Sequence, residues 1–328
     1  MPIDAGDIGS RVVIRSRLPG RNGPSGGPAL TDVIGELEAY DGTTAVVVRR
    51  DGTRVSVPVT DIVVAKRVPA ATGRRISAED LQRICAEGWP APVTEPLGDW
   101  LLRAAGGFTG RANSALVSGE PGMEIPQALA RVTAFYHHHS LPPRAQVVVG
   151  APWVEALESH GWRRGSGSRG GALVMVAALR MAPTAPVAGV SVSVTGRVDH
   201  VWLSLYHRAE AHDPAVVRAV LEGPRLVAFA RVGDPPIAIG RMAVTGTWAG
   251  LSTVEVMAGH RRRGLATAVV GALRDWAVER GARWCYLQVT EDNPAALTMW
   301  DRLGFRRHHA YRYFEPTQSA APARTSPG

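Results

Sequence analysis

Three arginines followed by a glycine, Arg261 to Gly264, stand between a β-branched stretch and a run of helical periodicity, and this junction limits the possible folds more than any other feature. Thr253 to Met257 has the character of a strand. From Leu265 the apolar residues Val269, Leu273, Trp276 and Ala277 recur at helical spacing as far as Arg280, where Gly281 is a stop signal. A strand therefore feeds a helix through a basic turn. The first amides of such a helix have no partner within it, and the macrodipole gives them partial positive charge, so the turn suits a pyrophosphate. Gly264 allows close approach of the backbone, Arg261, Arg262 and Arg263 raise the local positive potential, and Ala266 keeps a side chain out of the phosphate path.

Elsewhere the pattern divides the chain into three folded segments and a tail. Residues 1–68 hold five β-branched runs, at 11–15, 32–37, 45–50, 54–57 and 62–66, with the hairpin signal Asp51-Gly52 between the third and fourth. They predict a small β-barrel that resembles an SH3-like module, with residues 19–28 as a long mobile loop between its first two strands. Residues 69–77 and 181–189 read as linkers, and 316–328 as a disordered tail. Between them, segments 78–180 and 188–315 follow one order of helix, strand, helix and Gly-aromatic-Arg-Arg turn, ending at Arg164 and at Arg307. Two copies of one α/β unit is the simplest account, and the fold class expected is α+β with mixed sheets. The copies differ in chemistry, because Ser118 to Pro126 contains no basic, glycine-containing helix start.

At 328 residues, 45% hydrophobic and 20% charged, the chain has the composition of a multidomain globular protein. Its longest apolar run, 172–179, is too short to span a bilayer, and its start has neither a basic nor an apolar character, so a cytoplasmic protein with no membrane partner is expected. Cys85 and Cys285 offer no disulfide framework, and no metal site is expected. His137, His138 and His139 point to different sides of a helix and do not form one either. The net charge of +8 divides into +1, +2 and +5 over residues 1–70, 71–186 and 187–328. A local anion site explains much of that asymmetry, so nucleic acid is not an expected partner.

Arg261 to Ala266 fits the acetyl-CoA signature Q/R-x-x-G-x-G/A of the GNAT superfamily, and Val254-Glu-Val256 fits its V-x-V strand. The helix to Arg280, the strand Tyr286 to Val289, the run Asn293 to Trp300, Leu303-Gly-Phe305 and the strand Tyr311 to Phe314 follow at the spacing of that family. The chain thus resembles a GNAT N-acetyltransferase over about residues 190–315, and residues 78–180 are similar to a decayed second GNAT unit, as in tandem GNAT proteins. The resemblance implies acetyl-CoA as co-substrate and direct transfer to a primary amine of a protein or small molecule. It implies that Val254, Glu255 and Val256 meet the pantetheine arm, that Arg261, Arg262, Arg263, Gly264, Leu265, Ala266 and Thr267 wrap the pyrophosphate, and that Asn293 and Trp300 lie beside the cofactor.

Two positions depart from the family. Gln288 stands where some members have a glutamate base, and Trp300 where many have a tyrosine acid; an indole only donates and cannot serve. Glu255 is the first substitute for the base, with Glu291 and Asp292 behind it, and Tyr311 and Tyr313 are candidates for the acid. Glu255 alternates with two valines and equally fits a solvated strand face; Trp300 equally fits a core. The alternative function is an acetyl-CoA-binding regulatory protein without turnover. The amine acceptor and oligomeric state are not legible.

Overall fold

The structure is a computed structural model that describes residues 3–22, 26–49, 52–68, 76–167, 170–179 and 187–317. Of the expected linkers, hairpin and tail, residues 51, 69–75, 181–186 and 318–328 lie outside the described residues. The chain divides into two compact units, residues 1–75 and 76–328.

The first unit is a five-stranded antiparallel sheet built from β1 (Arg11–Asn22), β2 (Pro28–Tyr40), β3 (Thr44–Val48), β4 (Arg54–Pro58) and β5 (Ile62–Arg67), in the order β4-β3-β2-β1-β5. Period-two alternation puts Val12, Ile14, Val33, Leu37, Ala45, Val47, Val57 and Ala65 into one core. Gly35 makes the curl possible, since a Cβ there would lie 2.2 Å from the Val48 carbonyl oxygen. Of the segment read as a loop, 19–28, residues 19–22 instead extend β1 and Asn22 pairs Pro28, while 23–25 lie outside the described residues. Its residues are mostly exposed, so the backbone ladder holds a ribbon that hydrophobic pattern does not announce.

The second unit contains α1 (Ala78–Gly88), β6 (Val93–Leu97), β7 (Trp100–Ala104), β8 (Ala115–Val117), α2 (Ile125–His138), β9 (Ala145–Val148), α3 (Trp153–Ser159), β10 (Trp162–Arg164) and β11 (Ala172–Ala178). It continues with β12 (Ser193–Thr195), α4 (His200–Leu203), α5 (Pro214–Glu222), β13 (Val227–Val232), β14 (Ala238–Thr245), β15 (Trp248–Val256), α6 (Leu265–Glu279), β16 (Trp284–Val289), α7 (Pro294–Arg302) and β17 (Arg306–Pro316). Its described strands form one sheet in the order β12-β13-β14-β15-β16-β11-β17-β9-β8-β7-β6, with β10 pairing β17. The order shows an exchange. β11, the last strand of the first α/β half, lies between β16 and β17 of the second, and β17 in turn pairs β9 of the first. The segments on either side of residues 181–186 thus share one sheet.

β11 suits a central place because its sequence, Ala-Leu-Val-Met-Val-Ala-Ala, is apolar on both faces. Residues β8 to β9 and β15 to β16 are the parallel pairs among the described strands, each bridged by a helix, α2 or α6. On one face α6 packs Val269, Val270 and Leu273 against Met242, Leu251 and Leu287, each such burial stabilising by about 1.5–3 kcal/mol. Gly240 lets it come close, since a Cβ there would meet Val269 Cγ1 at 2.5 Å. On the other face α1, capped by Ser77 through the Asp80 amide at 2.9 Å, packs Leu81 and Cys85 against Val174, Tyr286 and Tyr311.

Candidate active site

β15 pairs with β16 from Trp248 opposite Trp284 to Leu251 opposite Leu287, and there the parallel ladder ends although β15 runs on to Val256. Opposite β14 the register shifts between Ile239 and Arg241, so that β15 carries one residue more than its partner; Thr253 in this stretch has φ +51°. Such a bulge bends the strand that carries it. The ends of β15 and β16 therefore diverge, and Val254, Glu255 and Val256 border a cleft instead of a neighbouring strand.

Past β15 a single 3-10 turn, Ala258–His260, leads to the arginines. The Arg261 Nε donates to the Val256 carbonyl at 3.3 Å, Arg262 has φ +64°, and Gly264 is the N-cap of α6 in the left-handed region at φ +77°. Gly264 is required there because an L side chain would be strained and its Cβ would meet Val187 Cγ1 at 3.1 Å. No side chain caps α6, and its first rung is the Ala268 amide donating to the Gly264 carbonyl at 2.9 Å. The amides of Leu265, Ala266 and Thr267 precede that rung, beside three exposed arginines, which is a cradle for an anion at the mouth of the cleft.

Alternation along β15 turns Val254 and Val256 toward the α6 core and Glu255 to the opposite face. Glu255 is half-buried there; burial raises its carboxyl pKa, while Arg208 and His207 nearby lower it. His207 bonds Glu210 at 2.7 Å, and Tyr206 feels the charges of Arg208, Arg111 and Glu255. Along the same face a small pocket is lined by Cys85, Trp89, Arg111, Arg241, Ser252 and Gln288, among others, and reaches β15 and β16 where they part. Arg241, 1% exposed, donates to the Leu221 carbonyl at 2.8 Å and the Gly88 carbonyl at 3.1 Å, at the C-terminal ends of α5 and α1. Two negative helix ends thus hold its charge in the interior, and burial pulls its pKa down to about 9.

Of the residues singled out in the sequence, the structure brings together Val254, Glu255 and Val256 with Arg261 to Thr267. Others also serve the fold. Asn293 caps α7, its side-chain oxygen accepting from the Ala296 amide at 3.0 Å. Trp300 is 7% exposed and packs edge-on against Phe305, as a core residue does. Tyr311 is 2% exposed, donates to Gln288 Oε1 at 2.9 Å and has its pKa pushed well above 10 by burial, so its proton is committed to orienting Gln288. Glu291 is ion-paired to Arg312, and Tyr313 is buried beneath the Arg144 guanidinium. Sequence reading placed the acceptor region at His200 to Tyr206 and onward, and missed Trp89 and Arg111. These two come from the opposite half, and the only local sign of them was the glycine-rich run Gly106 to Gly110 before Arg111.

Residues 77–314 match the family described as "Probable histone acetyltransferase Rv0428c C-terminal", and residues 6–66 match "Rv0428c N-terminal Sm-like domain". The small β domain expected at the N-terminus is therefore of the Sm-like kind. The probable histone acetyltransferase Rv0428c of Mycobacterium tuberculosis is 30% identical over 321 residues, covering 95% of this chain and 96% of its own. The uncharacterized N-acetyltransferase YobR of Bacillus subtilis is 28% identical, with 71% of this chain and 96% of that protein covered. A GCN5-related N-acetyltransferase structure from Kribbella flavida shares the fold, with a TM-score of 0.55 at 18% identity over 75% of this chain and 98% of that one. Taken with the parted strands and the glycine-capped basic turn, these matches make the chain an acyltransferase of the GNAT superfamily, belonging to the Rv0428c acetyltransferase family.

Proposed function

We propose that the protein transfers an acetyl group from acetyl-CoA to a primary amine by direct attack at the cleft between β15 and β16. The observation that carries this reading is the junction of a strand end without a partner on its β16 side, Val254 to Val256, with a helix start whose free amides lie beside three exposed arginines. Leu265, Ala266 and Thr267 amides with Arg261, Arg262 and Arg263 would hold the pyrophosphate, and the β15 edge would hold the pantetheine arm. Bound there, acetyl-CoA supplies a thioester whose carbonyl carbon is the electrophile.

The chain's own groups account for the rest. Glu255, on the face opposite α6, takes a proton from the acceptor nitrogen as the new C–N bond forms, and its raised pKa makes it a stronger base than an exposed carboxylate. The Val256 amide stabilises the oxyanion that forms before the C–S bond breaks. The departing thiol has a pKa of about 8.5, so solvent can protonate it and no dedicated acid is needed. Calorimetry with acetyl-CoA and release of free CoA in the presence of amines test the reading together. Binding with amine-dependent CoA release is expected; no binding overturns it, and binding without release by any amine favours a regulatory role.

A further inference from the structure

The proposed transfer leaves the acceptor open, and the walls of its cleft bear on it. Arg111 is half-buried, with its guanidinium carbon 4.4 Å from the centroid of the Trp89 ring. Among the described residues its side chain has neither a hydrogen bond nor an ion pair. Arg241, whose guanidinium carbon lies 4.8 Å from the same ring, has only neutral partners: two carbonyls and the Ser252 hydroxyl. The Arg111 nitrogens are not sealed from solvent, so the guanidinium is free to meet an incoming acceptor, and the ligand it fits best is a planar carboxylate.

The rest of the cleft points the same way. No carboxylate lines the pocket that holds Arg111 and Arg241. Glu255 is the carboxylate on that face of β15, and the charges it senses are those of Arg208 and His207, the latter shared with Glu210. Ser252, on the wall of that pocket, and Glu255 both lie on the stretch of β15 beyond its ladder with β16, so the pocket and Glu255 share one strand end. One end of the cleft takes an ammonium or its proton; the other is cationic, with Arg241 held by helix-end carbonyls and Arg111 without an acceptor among the described residues. A lysine-rich peptide would bring positive charge to a cationic wall.

We propose that the acceptor is a small zwitterionic amine, an amino acid or close relative, whose carboxylate is received by Arg111 with Arg241 behind it while its amine faces Glu255 and the thioester. Arg111 is then the specificity determinant, supplied to the second half's reaction by the first half. This inference rests on the acetyl-transfer reading, and its test separates the two. Acetyl-CoA binding is measured by calorimetry in every variant; loss of it in the parent protein overturns the transfer reading itself. At saturating acetyl-CoA, turnover is compared for glycine against glycinamide, L-lysine against L-lysinamide, and a lysine-rich peptide with an amidated C-terminus. The parent is expected to favour each carboxylate over its amide by about tenfold or more in kcat/KM. Arg111→Gln is expected to raise KM for the carboxylates by about tenfold or more and bring the preference toward one, with acetyl-CoA affinity unchanged, while Arg111→Lys retains part of it. Equal use of acids and amides, preference for the peptide, turnover of none of these amines, or an Arg111→Gln variant with the parent's preference overturns the proposal.

Discussion

The turn after β8 and the turn after β15 occupy the same place in the two halves of one sheet, each leading from a strand of a parallel pair into the helix that bridges it, and their electrostatics are opposite. After β15 come three exposed arginines and a left-handed glycine cap with no side chain on the helix amides. After β8 the turn is acidic: it carries Glu120 and Glu124, the latter at the N-cap of α2 without a side-chain hydrogen bond to its amides, and the Asp99 carboxylate of the β6–β7 turn accepts from the Glu120 amide at 2.9 Å. The strands differ as well. β8 is fully buried and paired to β9 along its length, whereas β15 outruns β16 and carries Glu255 on its free end. The same topology therefore leaves an open basic turn in one half and a closed scaffold in the other, and only a handful of side chains decide which.

The contrast can be attacked at its most reactive point first. Glu255 has no counterpart on β8, and Glu255→Gln is expected to lower kcat by about 10²–10⁴-fold with acetyl-CoA affinity retained. Because burial raises its pKa and the base must be ionised, parent activity should fall as pH drops through that raised value, and a pH–rate profile of the variant should lack this acid limb. Gly264→Glu puts a carboxylate and a strained residue into the basic turn and should weaken acetyl-CoA binding on the order of 100-fold by calorimetry. Gly122→Glu, in the turn of the first half, should leave that affinity alone; equal losses in both would abolish the distinction.

Two smaller effects concern what joins the halves. Arg241→Met leaves the Gly88 and Leu221 carbonyls without their donor and should cost about 2–4 kcal/mol in denaturant unfolding. A buried polar line, Arg103 to Gln146 to Gln82 to His309, also crosses between them, at 2.8, 2.7 and 2.8 Å. Burial and neighbouring His308 lower the His309 pKa to about 4. The unfolded chain then binds its proton more readily, so stability present above pH ~6.5 is lost as pH falls toward ~4. His309→Gln should flatten that slope by about 1–2 kcal/mol over the interval, measured by unfolding at several pH values.

Local signals carried a large part of the fold. Arg261 to Thr267 and the apolar spacing of α6 were legible because a helix start and its period are written in consecutive residues, and the β-branched runs of the first unit gave its strands for the same reason. The exchange of β11 and β17 was not legible. Alternation along a strand tells which face is buried and says nothing of which strand lies alongside. Arg111 escaped for a related reason: the cleft it borders, beside Ser252 and Gln288, is assembled by that pairing across halves, and nothing in Gly106 to Arg111 names it. Tyr311 was noticed for its chemistry, but its burial against Gln288 depends on its place between β11 and β9.

The place of β17 also bears on how the chain is made. The last of the described strands is an inner rung, flanked by β11 and β9, so the two sets of strands on either side of it cannot be joined while residues 306–316 are still inside the ribosome. Until β17 has been made, β9 and β11 each await a neighbour with an edge open, and the sheet of the second unit is joined last at its middle.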